Sequence, residues 1–177
     1  MKFDDLPHGN AALAIFPCVP GFGWMLFDGP LSPVTWGVST VAAGTKGSDQ
    51  KNARCLKRVA RLLHMYRPHL LVLEAFENGK TRRAPRMQRL CRSLISLAAV
   101  NRVGVRIVTR DEIRSSFVSA PAKTRYDAAK IVASYLKEIR HRLHDKRKFY
   151  NTEDPTMALF NAAALLIVHY SNPKETL

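Results

Sequence analysis

Acidic residues are scarce in this chain: 14 Asp+Glu stand against 28 Lys+Arg in 177 residues, which leaves a formal net charge of +14. A surplus of that size attracts polyanions, so nucleic acid is the leading partner class, ahead of an acidic protein or an anionic membrane surface. Cysteine is nearly as sparse. Cys18, Cys55 and Cys91 are odd in number and widely spaced, with no C-x-x-C pair or matching His spacing, which argues against a zinc site and for thiols in a reducing compartment. No stretch reaches the roughly 18 apolar residues a bilayer span needs, and the first thirty residues lack a signal-peptide pattern. A cytoplasmic, nucleic-acid-associated protein with no membrane partner is expected. Gly21-Phe22-Gly23 is followed by neither a Walker Lys-Ser/Thr nor a helix, and no Ser-His-Asp or Cys-His constellation stands out. His141, His144 and Asp145 read as exposed helical residues in a basic segment. No internal repeat or low-complexity tract is present.

What is there is a chain with 46% hydrophobic residues, enough for one substantial core. The expectation is a loose leader over 1–11, one domain over 12–170 and a tail over 171–177. Ala12 to Phe16 and Trp24 to Phe27 read as strands joined by a Pro17-to-Gly23 turn, with a third strand over Val34 to Val41. Ser48 is a plausible N-cap for a helix running to Tyr66, stopped by Arg67-Pro68. That helix places Leu56, Val59, Leu62, Leu63 and Tyr66 on one stripe, with Lys51, Arg54, Lys57, Arg58 and Arg61 over the remaining surface. Leu70 to Leu73 is a continuous apolar run, as in a strand covered on both faces, and ends at Glu74. A helix over Pro85 to Asn101, a strand over Val105 to Val108 and a short acidic-capped turn or helix over Asp111 to Phe117 follow. A long helix from Ala122 to His144, a basic linker and an apolar helix over Pro155 to Tyr170 complete the order. Strands alternating with helices after an antiparallel start imply an α/β fold, a mixed sheet with helices on its faces.

Four local patterns occur in order along this framework. They are Ile15-Phe16-Pro17-Cys18 followed by Gly21-Phe22-Gly23-Trp24; Leu71-Val72-Leu73-Glu74-Ala75-Phe76; Ala120-Pro121-Ala122-Lys123-Thr124; and Asp154-Pro155-Thr156-Met157-Ala158-Leu159. Together they resemble the RuvC family of Holliday-junction resolvases, in the RNase H-like superfamily, over roughly Leu13 to His169. The resemblance implies an RNase H-like five-stranded mixed sheet with helices on both faces, a homodimer, and phosphodiester cleavage by two Mg²⁺ ions about 4 Å apart held by converging carboxylates.

Carried across residue by residue, the strand-end ligand is Glu74 and the first helical acid is Asp154. The first-strand acid is replaced by Phe16 and the second helical acid by Met157. A phenyl ring and a thioether are poor ligands for a hard cation. Glu77, Glu153 and Asp28 are the neighbouring acids, with Asp28 expected at the far end of the second strand. Asp154 is also a good helix N-cap ahead of Pro155, and Met157 an ordinary core residue. Glu74 has an alternative as half of a buried ion pair, with Lys123 or an arginine of the 80–86 loop.

The resemblance gives Phe76 a base-stacking role and sets Lys123 against the scissile phosphate, while core packing competes for Phe76. Lys80, Arg82, Arg83 and Arg86 follow Glu74 and form the leading nucleic-acid contact, against a plain solvated charge run. The expectation is a protein that binds branched or structured nucleic acid of the Holliday-junction type, with metal-dependent cleavage lost or weak, so that Mg²⁺ matters only if cleavage survives. Two competing readings are an active Mg²⁺-dependent junction endonuclease and a structural protein-interaction subunit.

Overall fold

The computed structural model describes residues 10–42, 44–45, 47–77, 84–117, 124–145 and 154–172. Five strands, β1 (Ala12–Cys18), β2 (Gly21–Phe27), β3 (Pro33–Thr40), β4 (Leu70–Glu74) and β5 (Gly104–Val108), form one sheet in the order β3-β2-β1-β4-β5. The first three pair antiparallel and β1, β4 and β5 run parallel, giving the expected mixed sheet. The helices are α1 (Ser48–Tyr66), α2 (Pro85–Val100), α3 (Arg110–Ser116), α4 (Arg125–Tyr135), α5 (Lys137–Arg140) and α6 (Pro155–Ser171).

Strand alternation divides the core in two. Leu13 and Ile15 of β1 join Leu71 and Leu73 of β4 beneath α1 and α2, whereas Ala12, Ala14 and Phe16 join Val72 and Val108 beneath α4, α5 and α6. Helix α6 is apolar all round, which suits a helix enclosed by protein, and every residue from Ala158 to Val168 is buried. It lies so close to β2 that a Cβ built on Gly23 would stand 2.2 Å from the Ala158 carbonyl carbon. Only a residue without a side chain admits that approach.

Several local expectations are corrected. The first hairpin turns at Val19 and Pro20 alone, because Phe16 pairs with Gly23 and Pro17 with Phe22 as continuing strand. Pro17 is tolerated there because it lies past Ala14–Val72, the last parallel pair between β1 and β4. Helix α1 starts at Ser48 but has Gly47, at φ 85°, as its N-cap, without a side-chain cap bond. Its end matches the sequence: Arg67 adopts the left-handed conformation before Pro68.

The single helix expected over Ala122 to His144 is two. Thr124 and Asp127 form a capping box that starts α4 at Arg125, and the backbone departs from helical angles at Leu136. Leu136, at the break, and Ile139, beyond it, are both buried in the α6-side core. Residues 118–123 and 146–153 lie outside the described set.

Behind the sheet's parallel half, the buried Arg106 of β5 reaches α6, where its Nη1 lies 2.9 Å from His169 Nδ1 and donates to the His169 carbonyl at 3.1 Å. Its Nη2 has no hydrogen bond among the described residues and faces Glu112 at 3.9 Å. Burial first, then the charge of Arg106, hold the His169 imidazole down at about 4.

Two outcomes follow. Replacing Gly23→Ala forces the α6 backbone off the sheet and should lower stability by about 3 kcal/mol, read as a shift of the urea midpoint. For His169, the unfolded chain binds a proton below about pH 6.5 that the folded chain refuses until about 4. Stability is therefore complete above that window and falls as pH drops through it. Thermal unfolding across pH 7 to 4 should show this slope, and His169→Asn should flatten it.

Candidate functional site

The parallel register matches Ala12 with Leu70 and Ala14 with Val72, and two residues further along the same face stand Phe16 and Glu74. Both line a cavity of about 160 Å³, together with Arg110, Arg114, Arg125 and Asn161. The Glu74 side chain is only 3% exposed, and its two oxygens are held separately: Arg110 Nε lies 3.4 Å from Oε1 and Arg125 Nη2 lies 3.5 Å from Oε2. The Arg125 guanidinium also stands 5.1 Å from the centroid of the Phe16 ring, within range of a cation–π contact. Phe16 is buried and belongs to the α6-side core. An aromatic face thus occupies the first-strand position, covered by a cation.

Sheet order explains why these arginines meet Glu74. Strand β5 lies parallel beside β4 with Val108 opposite Glu74, so α3, whose first residue is Arg110, begins next to the carboxylate. The Thr109–Glu112 capping box fixes where α3 starts: Glu112 N–H donates to Thr109 Oγ1, and Thr109 N–H donates to Glu112 Oε2. Neither Arg110 nor Arg125 was singled out by sequence, since nothing local ties them to Glu74.

Arg86 does not pair with Glu74. It donates to the carbonyls of Cys18 and Val19 at 3.1 and 2.9 Å, bracing the first hairpin, with Asn52 Oδ1 at 3.3 Å. Lys80, Arg82, Arg83 and Lys123 lie outside the described residues. Phe76 is 5% exposed, so its ring is packed in protein instead of being presented to a base.

The two helical positions do not converge on the cavity. Asp154 caps α6, with Oδ1 accepting from Thr156 N–H at 2.9 Å and Oδ2 lying 3.7 Å from His144 Nε2. Met157 packs, partly buried, against the α6-side core. The α6 residues that do line the cavity are Asn161 and Ala164, of which Asn161 is the polar one, about 10 Å further along the axis than Asp154. Its place four residues after Met157, on the same helical face, is a signal sequence reasoning passed over. Asn161 is 8% exposed, and its Nδ2 has no hydrogen-bond partner among the described residues. Of the neighbouring acids, Glu77 pairs with Arg92 at 2.7 Å on the surface. Asp28 follows Phe27, which is paired with Ala12 at the opposite end of β1 from Phe16. Glu153 lies outside the described residues.

A divalent magnesium site needs several hard oxygen ligands converging on one point. Here one carboxylate, engaged by two guanidiniums, faces a cavity that a third guanidinium also lines. Among the described residues, no group of three or more His, Cys, Asp or Glu is placed to hold a metal. The donor set among the described residues does not fit Mg²⁺.

No protein-family profile and no curated protein matches this sequence. Solved structures do match in shape. Thermus thermophilus RuvC superposes with a TM-score of 0.64 at 14% identity, over 90% of this chain and 92% of that one. T. thermophilus RuvC in complex with Holliday junction substrate gives 0.63 at 14% identity, with the same two coverages. The yeast mitochondrial Holliday junction resolvase Ydc2 gives 0.56 at 12% identity, over 94% of this chain and 80% of that one. The chain therefore has a RuvC-like, RNase H-like α/β fold. No helix among the described residues is long and apolar enough to cross a membrane.

Replacing Glu74→Gln should cost about 1–3 kcal/mol of stability in chemical denaturation, because two guanidiniums lose their shared counter-charge. The lower part of that range follows from the partly exposed arginines, which water screens.

Proposed function

We propose that this chain binds branched nucleic acid, of the four-way-junction DNA type, and that it does so without effective Mg²⁺-dependent cleavage. The observation that carries the reading is the occupancy of the strand-centre site. In a fold that superposes on RuvC over 90% of the chain, the position the resemblance assigns to an acid is the buried Phe16, and the adjacent Glu74 is committed to Arg110 and Arg125. Phosphate contacts come from Lys/Arg surfaces, whereas cleavage needs a few converging acids, so binding survives a loss that removes chemistry.

The basic faces support binding. Arg54, Lys57, Arg58 and Arg61 lie on the exposed side of α1. Arg54 and Arg58 also hold loop and strand groups, donating to Thr45 Oγ1 and Ser39 Oγ at 2.7 Å each. Lys80, Arg82, Arg83 and Lys123 remain assigned to nucleic-acid contact on sequence grounds. A single domain over 12–170 acting as a homodimer completes the proposal; two copies would offer paired basic faces to a symmetric branch.

The test uses purified full-length chain with a labelled four-way DNA junction and a linear duplex of equal length. The expected result is preferential junction binding, falling steeply with salt, with no strand cuts in either Mg²⁺ or Mn²⁺. Paired cuts abolished by Glu74→Gln would establish the nuclease reading instead, with Glu74, Asp154 and Glu153 as its acids. Absence of nucleic-acid affinity would leave the protein-interaction reading.

A further inference from the structure

We propose that the cavity between Phe16, Glu74 and Asn161 is a metal-free phosphate subsite, taking a backbone phosphate of the bound nucleic acid on Arg110, Arg114, Arg125 and Asn161. The inference rests on the nucleic-acid reading above, and it inverts the electrostatics of that position in the fold: a site for cations becomes a site for an anion.

Three observations converge on it. The first is charge, since among the described residues three guanidiniums and a single carboxylate line the cavity. Glu74 neutralises one of them in effect and fixes two in place, because Arg110 and Arg125 each approach a different oxygen. The second is access. Glu74 is 3% exposed, but the side chains of Arg110, Arg125 and Arg114 are 42%, 37% and 61% exposed, so the cations reach the solvent side while the anion stays beneath. Arg114 does not touch Glu74; its recorded ion pair is with Asp111 of its own helix at 3.8 Å.

The third is the orphan donor. Asn161 stands on an otherwise apolar stretch of α6, buried, with an Nδ2 that no described residue satisfies. A buried amide without a partner costs on the order of 1–3 kcal/mol; Nδ2 is closed off from water, so an acceptor oxygen in the cavity removes that cost once the Asn161 side chain turns its amide toward it. A cavity of about 160 Å³ is roughly ten times the room one ordered water needs. Planar guanidiniums and an amide donor suit the several acceptor oxygens of a phosphate, and arginine engages it in paired contacts. Phe16 contributes a flat floor that holds Arg125 by its ring face, preorganising a cation that would otherwise lose side-chain entropy on binding.

Two variants and two probes decide the matter, all in EDTA. Arg114→Gln removes an exposed cation that does not support Glu74, and Asn161→Asp places a negative charge where the donor stood. The first probe is inorganic phosphate, titrated against chloride at matched ionic strength and followed by thermal unfolding. It should raise the wild-type Tm by about 2–4 °C near saturation, with the rise at least halved in Arg114→Gln and absent in Asn161→Asp. The second probe is the labelled four-way junction. Arg114→Gln should weaken its binding about three- to tenfold and lower the slope of log affinity against log salt by about one.

No phosphate-specific rise, or an equal rise in wild type and both variants, overturns the subsite. Junction binding that Arg114→Gln leaves unchanged in affinity and slope overturns the backbone phosphate as its occupant. A phosphate response lost in the variants, in a chain with no junction affinity, upholds the anion site and defeats the nucleic-acid reading. Because Arg114 is exposed, its variant reports even where Asn161→Asp fails to fold.

Discussion

Helix α6 meets the sheet backbone to backbone at Gly23, and most of the α6-side core is arranged around that contact. A side chain at that point would collide with Ala158, so the depth of the helix is set by the absence of one Cβ. From that depth, α6 brings its apolar flank against β1 and β2, gives α4 a surface to pack on, and carries Asn161 into the cavity beside Phe16 and Glu74. The same closeness explains why the helix is apolar but for Asn161 between Ala158 and Val168: every residue of that span is buried.

Beside this packing constraint sits an electrostatic one. A carboxylate at the end of a buried strand must find counter-charges or be neutralised. In a metal-dependent nuclease the ions supply that charge; here Arg110 and Arg125 do. The phenyl ring of Phe16 closes the arrangement from the β1 side and gives Arg125 a face to rest on. Glu74, Phe16 and the two arginines form one unit whose parts make sense together: a buried carboxylate, an aromatic beside it on the neighbouring strand, and two guanidiniums that balance its charge.

The legible parts of the fold were those with strong periodicity or punctuation. Strand β4 was visible as Leu70 to Glu74, α1 by its stripe of Val59 and Leu63 and its stop at Pro68, and α6 by its apolar run after Pro155. The first hairpin was misjudged because proline and glycine usually mark turns, whereas Pro17 sits at a strand's free end and Gly23 is required by α6. The break at Leu136 carries no local signal, because its residues are compatible with helix and neither proline nor glycine marks it. Phe16, Glu74, Asp154 and Met157 could be named from motif order, but only Phe16 and Glu74 share the cavity.

The sequence by itself determined the charge balance, the alternation of strands and helices, and the presence of Phe16 and Met157 within the motif-like runs, because each is a matter of residue type and spacing along the chain. The tertiary structure decided which groups answer Glu74. Arg110 and Arg125, which no motif links to Glu74, reach it, since β5 lies parallel beside β4 and α4 packs against α6. Contacts across a sheet depend on strand order, and strand order is a property of the whole core that no local pattern carries.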